Sequence, residues 1–214
     1  MEKTDLLKTD PDYYRATRHP SMLRLGPLPY LSVSGQGDPS GKAFAERVQL
    51  LYSLIYAVKF RYKEENRDFV VAKLEGLWWY DEERWGTPPV SEAPKVIPRD
   101  VWEYKLLIRL PVFVTAESVA ATWKAIAGKR QIAGVEPPAF ELLEEGDVVQ
   151  ILHTGPFDKE PETLARLQEY MSDKKMGRNG FHHEIYLSDF RRTAPEKLRT
   201  ILREPVKVFG TGIA

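Results

Sequence analysis

The chain of 214 residues contains no cysteine. That excludes disulfide scaffolds, thiolate zinc sites and cysteine nucleophiles together. It also fits a reducing, cytoplasmic setting, which is the expected location. There is no imbalance of charge, because 31 Lys and Arg meet 31 Asp and Glu. A neutral chain offers no electrostatic reason for direct nucleic-acid binding. Long apolar runs are missing too. A membrane span needs about 20 apolar residues, and stretches such as residues 48–58 stop well short of it. The opening, MEKTDLLKTDPDYY, is charged and lacks the apolar centre of a signal peptide. Nucleotide-binding loops are absent as well. Gly35-x-Gly37 has no third glycine in register, and no Gly-Lys-Ser/Thr occurs. Ser34 and Ser188 lie outside any G-x-S-x-G context. His182 and His183 are strand neighbours pointing to opposite faces, so they make a poor metal pair. Neither a metal nor a cofactor is expected.

What the chain has is aromatic residues: 5 Trp, 10 Tyr and 9 Phe, many close together. Tyr and Trp carry apolar area with a polar handle. An aromatic-rich core and a polar-rimmed aromatic cavity both fit that composition.

Residues 1–28 read as an N-terminal arm, broken at Asp10-Pro11 and His19-Pro20. Residues 30–34 alternate like a strand, and Ser40 is placed to cap the helix that follows. Across 41–64, Phe44, Val48, Leu51, Leu54, Ile55 and Val58 recur at helical spacing. Tyr52, Tyr56 and Phe60 form a second row. Residues 68–74 read as a strand leading to Leu77-Trp78-Trp79-Tyr80. On a strand only one of Trp78 and Trp79 faces a given side. Residues 81–100, with four prolines, read as a long loop. Residues 102–110 alternate with Trp102, Tyr104, Leu106, Ile108 and Leu110 on one face. A helix over 114–129 follows, then a turn at 135–138. Strands at 139–143 and 148–153 are joined by Glu144-Glu145-Gly146-Asp147. A helix over 160–174, a strand over 181–187 and a short helix after Thr193 complete the reading.

The order of elements repeats. Leu31-Ser32-Val33-Ser34-Gly35-Gln36-Gly37-Asp38 parallels Ile151-Leu152-His153-Thr154-Gly155-Pro156-Phe157-Asp158. Each is a strand, a small hydroxyl residue with Gly, then Asp ahead of a long helix. Aligning 102–110 with 181–187 sets Trp102 against His182 and Tyr104 against Glu184. The expected fold is α+β, a duplicated β-α-β-β unit with pseudo-twofold symmetry and a central cleft. The expected division is the arm at 1–28 and one domain at 29–210, with repeats at about 29–110 and 111–210.

On the strand 182–188, His182, Glu184, Tyr186 and Ser188 share one face. If that face is buried, desolvation raises the carboxyl pKa while phenol or imidazole hydrogen bonds oppose the rise. Such a glutamate suits a base, a proton donor or a counter-ion for a cationic ligand. The alternative is an edge strand with a solvated polar face.

At these residues the chain resembles the GyrI-like small-molecule-binding family. The resemblance rests on Leu74-Glu75-Gly76-Leu77-Trp78-Trp79, His153-Thr154-Gly155-Pro156-Phe157 and His182-His183-Glu184-Ile185-Tyr186-Leu187-Ser188-Asp189. The tail Pro195-Glu196-Lys197-Leu198-Arg199-Thr200-Ile201-Leu202-Arg203 looks like it too, and the likeness spans about 28–210. It implies a duplicated β-α-β-β fold and, with no helix-turn-helix, the standalone type of the family. It places the family's cleft glutamate at Glu184, facing bulky aromatic, often cationic, ligands. Trp78 or Trp79, Tyr104, Tyr186 and Tyr56 would supply stacking surface, with Trp102, His153 and His182 beside them. Some standalone relatives are cyclopropanoid hydrolases, which open the strained ring of DNA-alkylating antibiotics with water. That implies Glu184 acting on the water and Tyr104 or Tyr186 polarising a carbonyl oxygen. The leading expectation is multidrug-type binding of hydrophobic aromatic molecules. Hydrolysis is the alternative, and a gyrase-interacting inhibitor is the weakest of the three.

Overall fold

Helical spacing of apolar residues over 41–64 produces the longest helix of the fold. Leu51, Leu54, Ile55 and Val58 on it are fully buried. The computed structural model describes residues 3–130 and 137–209; the first two residues of the turn expected at 135–138 lie outside them. Two short helices, α1 (Leu6–Thr9) and α2 (Pro11–Tyr14), precede β1 (Ser21–Leu25) and β2 (Leu28–Gln36). The long helix α3 (Lys42–Glu64) leads to β3 (Leu74–Trp79), short helices α4 (Glu82–Trp85) and α5 (Ala93–Val96), and β4 (Glu103–Arg109). Then come α6 (Ala116–Arg130), β5 (Ala139–Leu143), β6 (Gly146–Thr154), α7 (Glu160–Asp173), β7 (Met176–Arg178), β8 (His182–Tyr186) and β9 (Arg199–Val208).

Eight strands form one path in the order β1-β6-β9-β8-β3-β4-β2-β5, and β7 pairs with the far end of β9. Every strand pairing in the sheet is antiparallel. The fold is therefore α+β, with helices on a large antiparallel sheet. Outward from its centre the path runs β8-β9-β6-β1 on one side and β3-β4-β2-β5 on the other. Strand β8 pairs with β3 and β9, and β4 pairs with β2 and β3.

Several boundaries differ from the sequence reading. Residues 21–25 of the expected arm are a sheet strand paired with β6, and Tyr13 and Tyr14 are buried. The strand expected from 68 begins only at Leu74. Ser40 does not cap α3. Its amide and hydroxyl both donate to Asp38 Oδ1, at 2.8 and 2.7 Å, and Gly41 stands at the cap. The 81–100 stretch holds α4, α5 and a small core of Tyr80, Ala93 and Ile97. The helix expected after Thr193 is a single 3-10 turn followed by β9. Strand β9 is buried on both faces, so it lacks the apolar–polar alternation that marks a half-buried strand. Its charged residues, spaced like an amphipathic helix, hid it.

The pleat sorts side chains to two sides. On one, α3 packs over β2 and β4, α7 packs over β6 and β7, and β3 and β8 floor the space between. On the other, the N-terminal segment covers Tyr30, Glu75, His183 and Arg203.

Candidate functional site

Strand alternation and strand order build the site together. On β8, His182, Glu184 and Tyr186 face the helices, and the register sets Trp78 opposite His182 and Gly76 opposite Glu184. Gly76 is needed there. A Cβ on it would stand 2.9 Å from Trp78 Nε1 and 3.2 Å from the Tyr186 hydroxyl, which are joined by a 3.2 Å hydrogen bond from the indole. Gly76→Ala is expected to cost about 1–3 kcal/mol by overpacking and to disturb that bond. Urea unfolding and tryptophan emission check it, and unchanged values in both would refute the packing argument.

These residues floor a cleft of about 390 Å³, within the size range of drug-sized ligand pockets. Phe44 of α3 closes one side, and Glu160 and Leu164 of α7 the other. Val90, Ala93 and Pro94 from the 81–100 stretch lie across it with Trp102. The aromatic walls support one another. Phe44 stacks on Trp78 with centroids 6.0 Å apart, and Phe157 and Phe190 meet Tyr186 edge-on at 6.0 and 6.2 Å.

The polar groups are set in unlike protonation states. Glu160, the first residue of α7, is buried, and its Oε1 has no protein hydrogen-bond partner. Burial, and then the charge of Glu184, push its carboxyl well above the usual range. A helix N-terminus favours a negative charge, but here desolvation wins. Burial alone would lower His182, but Glu204 and Glu184 outweigh it and raise the imidazole to about 10. Its Nδ1 lies 2.6 Å from Glu204 Oε1 and its Nε2 3.4 Å from Glu184 Oε1. Tyr186 is pushed well above the ordinary phenol range by burial and then by Glu184, so it keeps its proton. A carboxyl with a raised pKa, an imidazole raised to about 10 and a second carboxyl thus share one aromatic cleft. Unlike environments acting on paired titratable groups are how acid and base roles are separated.

Glu184, Tyr186, His182, Trp78 and Trp102 of the expected set line this cleft. Four others do not. Tyr56 is 46% exposed on the outer side of α3, where it stacks on Tyr52. Trp79 alternates to the opposite face and stacks on Phe181 at 4.6 Å. Tyr104 is fully buried behind Phe44 and Trp78, its hydroxyl turned toward Gly35, where a Cβ would be 2.5 Å away. His153 uses both ring nitrogens on structure, Nδ1 with Thr163 Oγ1 at 2.9 Å and Nε2 with the Pro156 carbonyl at 3.2 Å. It braces the turn that leads to Phe157 and Glu160. Glu160, Glu204 and Arg178 were not anticipated. Glu160 reads as an ordinary acid at a helix start, Arg178 as a charge after a turn, and Glu204 lies on the misread strand.

A family model described as the GyrI-like small molecule binding domain matches residues 113–207. The structure of an uncharacterized conserved protein from Listeria innocua is 33% identical, with a TM-score of 0.84 over 96% of this chain and 100% of that one. A structure described as a hydrolase from Listeria innocua is 33% identical, with a TM-score of 0.81 and the same coverage. The C-terminal domain of EcmrR shares the fold at 11% identity, with a TM-score of 0.55 over 89% of this chain and 98% of that one. No curated protein matches the chain in sequence. Among the described residues no helix is long and apolar enough to cross a membrane.

Proposed function

Because the chain belongs to the GyrI-like small-molecule-binding family, we propose that it is a hydrolase that adds water to bulky aromatic molecules carrying a strained cyclopropane conjugated to a carbonyl. The observation that carries this reading is the pair of cleft glutamates, with Glu160 buried, its Oε1 without a protein partner and its carboxyl pushed upward, in the same cleft as Glu184. A site that only grips a flat ligand has no use for an acid and a base side by side. The Listeria innocua relative described as a hydrolase supports the same reading.

The atoms balance as follows. Glu184 takes a proton from water as the water oxygen bonds to a ring CH2 carbon. The ring C–C bond breaks, and its electron pair passes through the conjugated system to the carbonyl oxygen. The ring aromatises, and the new phenolate oxygen takes a proton from Glu160. Tyr186 accepts from Trp78 and directs its O–H to Glu184, which helps hold the base in place. Relief of strain and aromatisation supply much of the driving force. Phe44, Trp78 and Trp102 hold the flat body of the substrate and keep bulk water off the pair.

The second reading, binding of lipophilic cations without turnover, draws on the same aromatic walls. It is weakened by His182, whose imidazolium already lies 3.4 Å from the carboxylate a cation would seek. The test is incubation of the purified protein with a spirocyclopropyl dienone, followed by mass spectrometry and tryptophan emission. A product heavier by one water, formed faster than without protein, is expected. Saturable quenching with no product would leave a binding protein and overturn the hydrolase.

A further inference from the structure

Four side chains outside the reacting pair line up behind Glu184 in alternating charge. Glu82, on α4, places Oε1 3.3 Å from Arg178 Nη1. Arg178, on β7, places Nε 3.6 Å from Glu204 Oε2. Glu204, on β9, places Oε1 2.6 Å from His182 Nδ1. His182 Nε2 then lies 3.4 Å from Glu184 Oε1. We infer that Glu204 and Arg178 are positioning residues for Glu184, acting through the His182 ring.

The argument begins with Glu204, which is 0% exposed. A fully buried carboxylate is too costly to keep without a cation, and the partner in contact with it is the His182 ring. That contact fixes Nδ1 as a donor and sets the ring so that Nε2 lies 3.4 Å from Glu184 Oε1, an ion-pair contact without hydrogen-bond geometry. The ring thus sets a positive charge beside the Glu184 carboxyl and keeps that side chain in one place. Arg178 completes the balance on the far side of Glu204. Its Nε and Glu204 Oε2 have no protein hydrogen-bond partner, and they lie just beyond hydrogen-bonding distance of each other. The guanidinium is therefore shared between Glu204 and Glu82. Removing the Glu82 carboxylate would turn Arg178 wholly to Glu204 and weaken the hold of Glu204 on His182. The groups facing His182 are Glu204 from β9, Glu184 and Tyr186 from its own strand, and Glu160 from α7.

The role in turnover rests on the hydrolase reading, so the primary test needs no substrate. The chain has four histidines, and 15N-labelled imidazoles can be followed by NMR from pH 5 to 10, with His182→Gln giving the assignment. In the wild type His182 is expected to stay an imidazolium past about pH 9. In Glu204→Gln its midpoint is expected below about pH 8. Glu82→Gln should lower it by a smaller step, and Arg178→Gln should raise it. A midpoint unmoved in Glu204→Gln overturns the proposal. If that variant does not fold, an unmoved midpoint in both Arg178→Gln and Glu82→Gln overturns it equally. With a turnover substrate in hand, the acid limb of kcat/KM should move to higher pH in Glu204→Gln and return with Glu204→Asp. A purely structural role would change yield and unfolding but leave that limb in place. Failure of turnover alone would count against the hydrolase and leave the NMR result standing.

Discussion

Glu184→Gln is expected to lower kcat for a spirocyclopropyl dienone by about 10²–10⁴-fold, the usual contribution of a positioned general base. The amide keeps the shape of the side chain and cannot accept a proton from water. Glu204 still holds the His182 ring at 2.6 Å. The fold and the aromatic walls should therefore survive, and tryptophan quenching by the same compound should change by less than about threefold. Loss of kcat with retained binding is the signature of an interaction made in the transition state. Full turnover in the variant would remove Glu184 from the mechanism and move the base to another group. A lipophilic cation and a neutral molecule of similar size add a second reading of the same variant. A counter-ion role predicts a selective loss of the cation. The imidazolium beside Glu184 predicts little difference between the two.

Arg203→Met is expected to destabilise the protein by about 3–5 kcal/mol, the cost of removing one partner from a buried ion pair. Arg203 is fully buried on the far side of the sheet from the cleft. It donates to Gln150 Oε1 from Nε and Nη2 at 3.2 and 2.9 Å, to the Tyr13 carbonyl at 3.0 Å and to Glu145 Oε2 at 3.2 Å. Arg203 and Arg109 both lie over the Tyr13 ring, at 4.3 and 4.4 Å. Tyr13 in turn donates to Glu75 at 2.5 Å, and His183 bridges Glu75 and Glu145 at 3.0 Å each. Methionine leaves Glu145 with only His183 and frees the N-terminal segment from β9. Urea unfolding measures the loss, and a change under about 1 kcal/mol would refute the network as a source of stability.

The same network sets a pH dependence. Burial would raise Glu145, but His183 and Arg203 outweigh it and hold it at about 2. Its contribution is present above the ordinary 4.5 and is lost as pH falls toward 2. His183 is raised, because Glu145 and Glu75 outweigh its burial. Its contribution is complete below the ordinary 6.5 and is lost as pH rises through the folded value. His182 behaves alike up to about 10, and Glu160 adds a loss of the same sign above 4.5. Stability should therefore peak near pH 4.5, fall gently toward 6.5 through Glu160 and more steeply above it, and Arg203→Met should flatten the acid limb of that curve.

What was legible in the sequence was local. The period of two along 182–186 set His182, Glu184 and Tyr186 on one face, because strand geometry fixes that within five residues. The spacing of Phe44, Val48, Leu51, Leu54, Ile55 and Val58 made α3 readable for the same reason at a period near four. The choice between Trp78 and Trp79 was not local. It depended on which face of β3 the helices cover, so Trp79 ended against Phe181. Strand β9 was hidden because a strand buried on both sides shows no alternation. The sequence alone determined an α+β chain with a polar face on one strand and no thiol. Only the tertiary structure decided that Glu160, Glu184, Glu204 and Arg178 meet. They come from α7, β8, β9 and β7, and the unlike protonation of Glu160 and His182 follows from distances set by strand register and helix packing. Desolvation and charge act over a few ångströms in space, and separation along the chain carries no record of them.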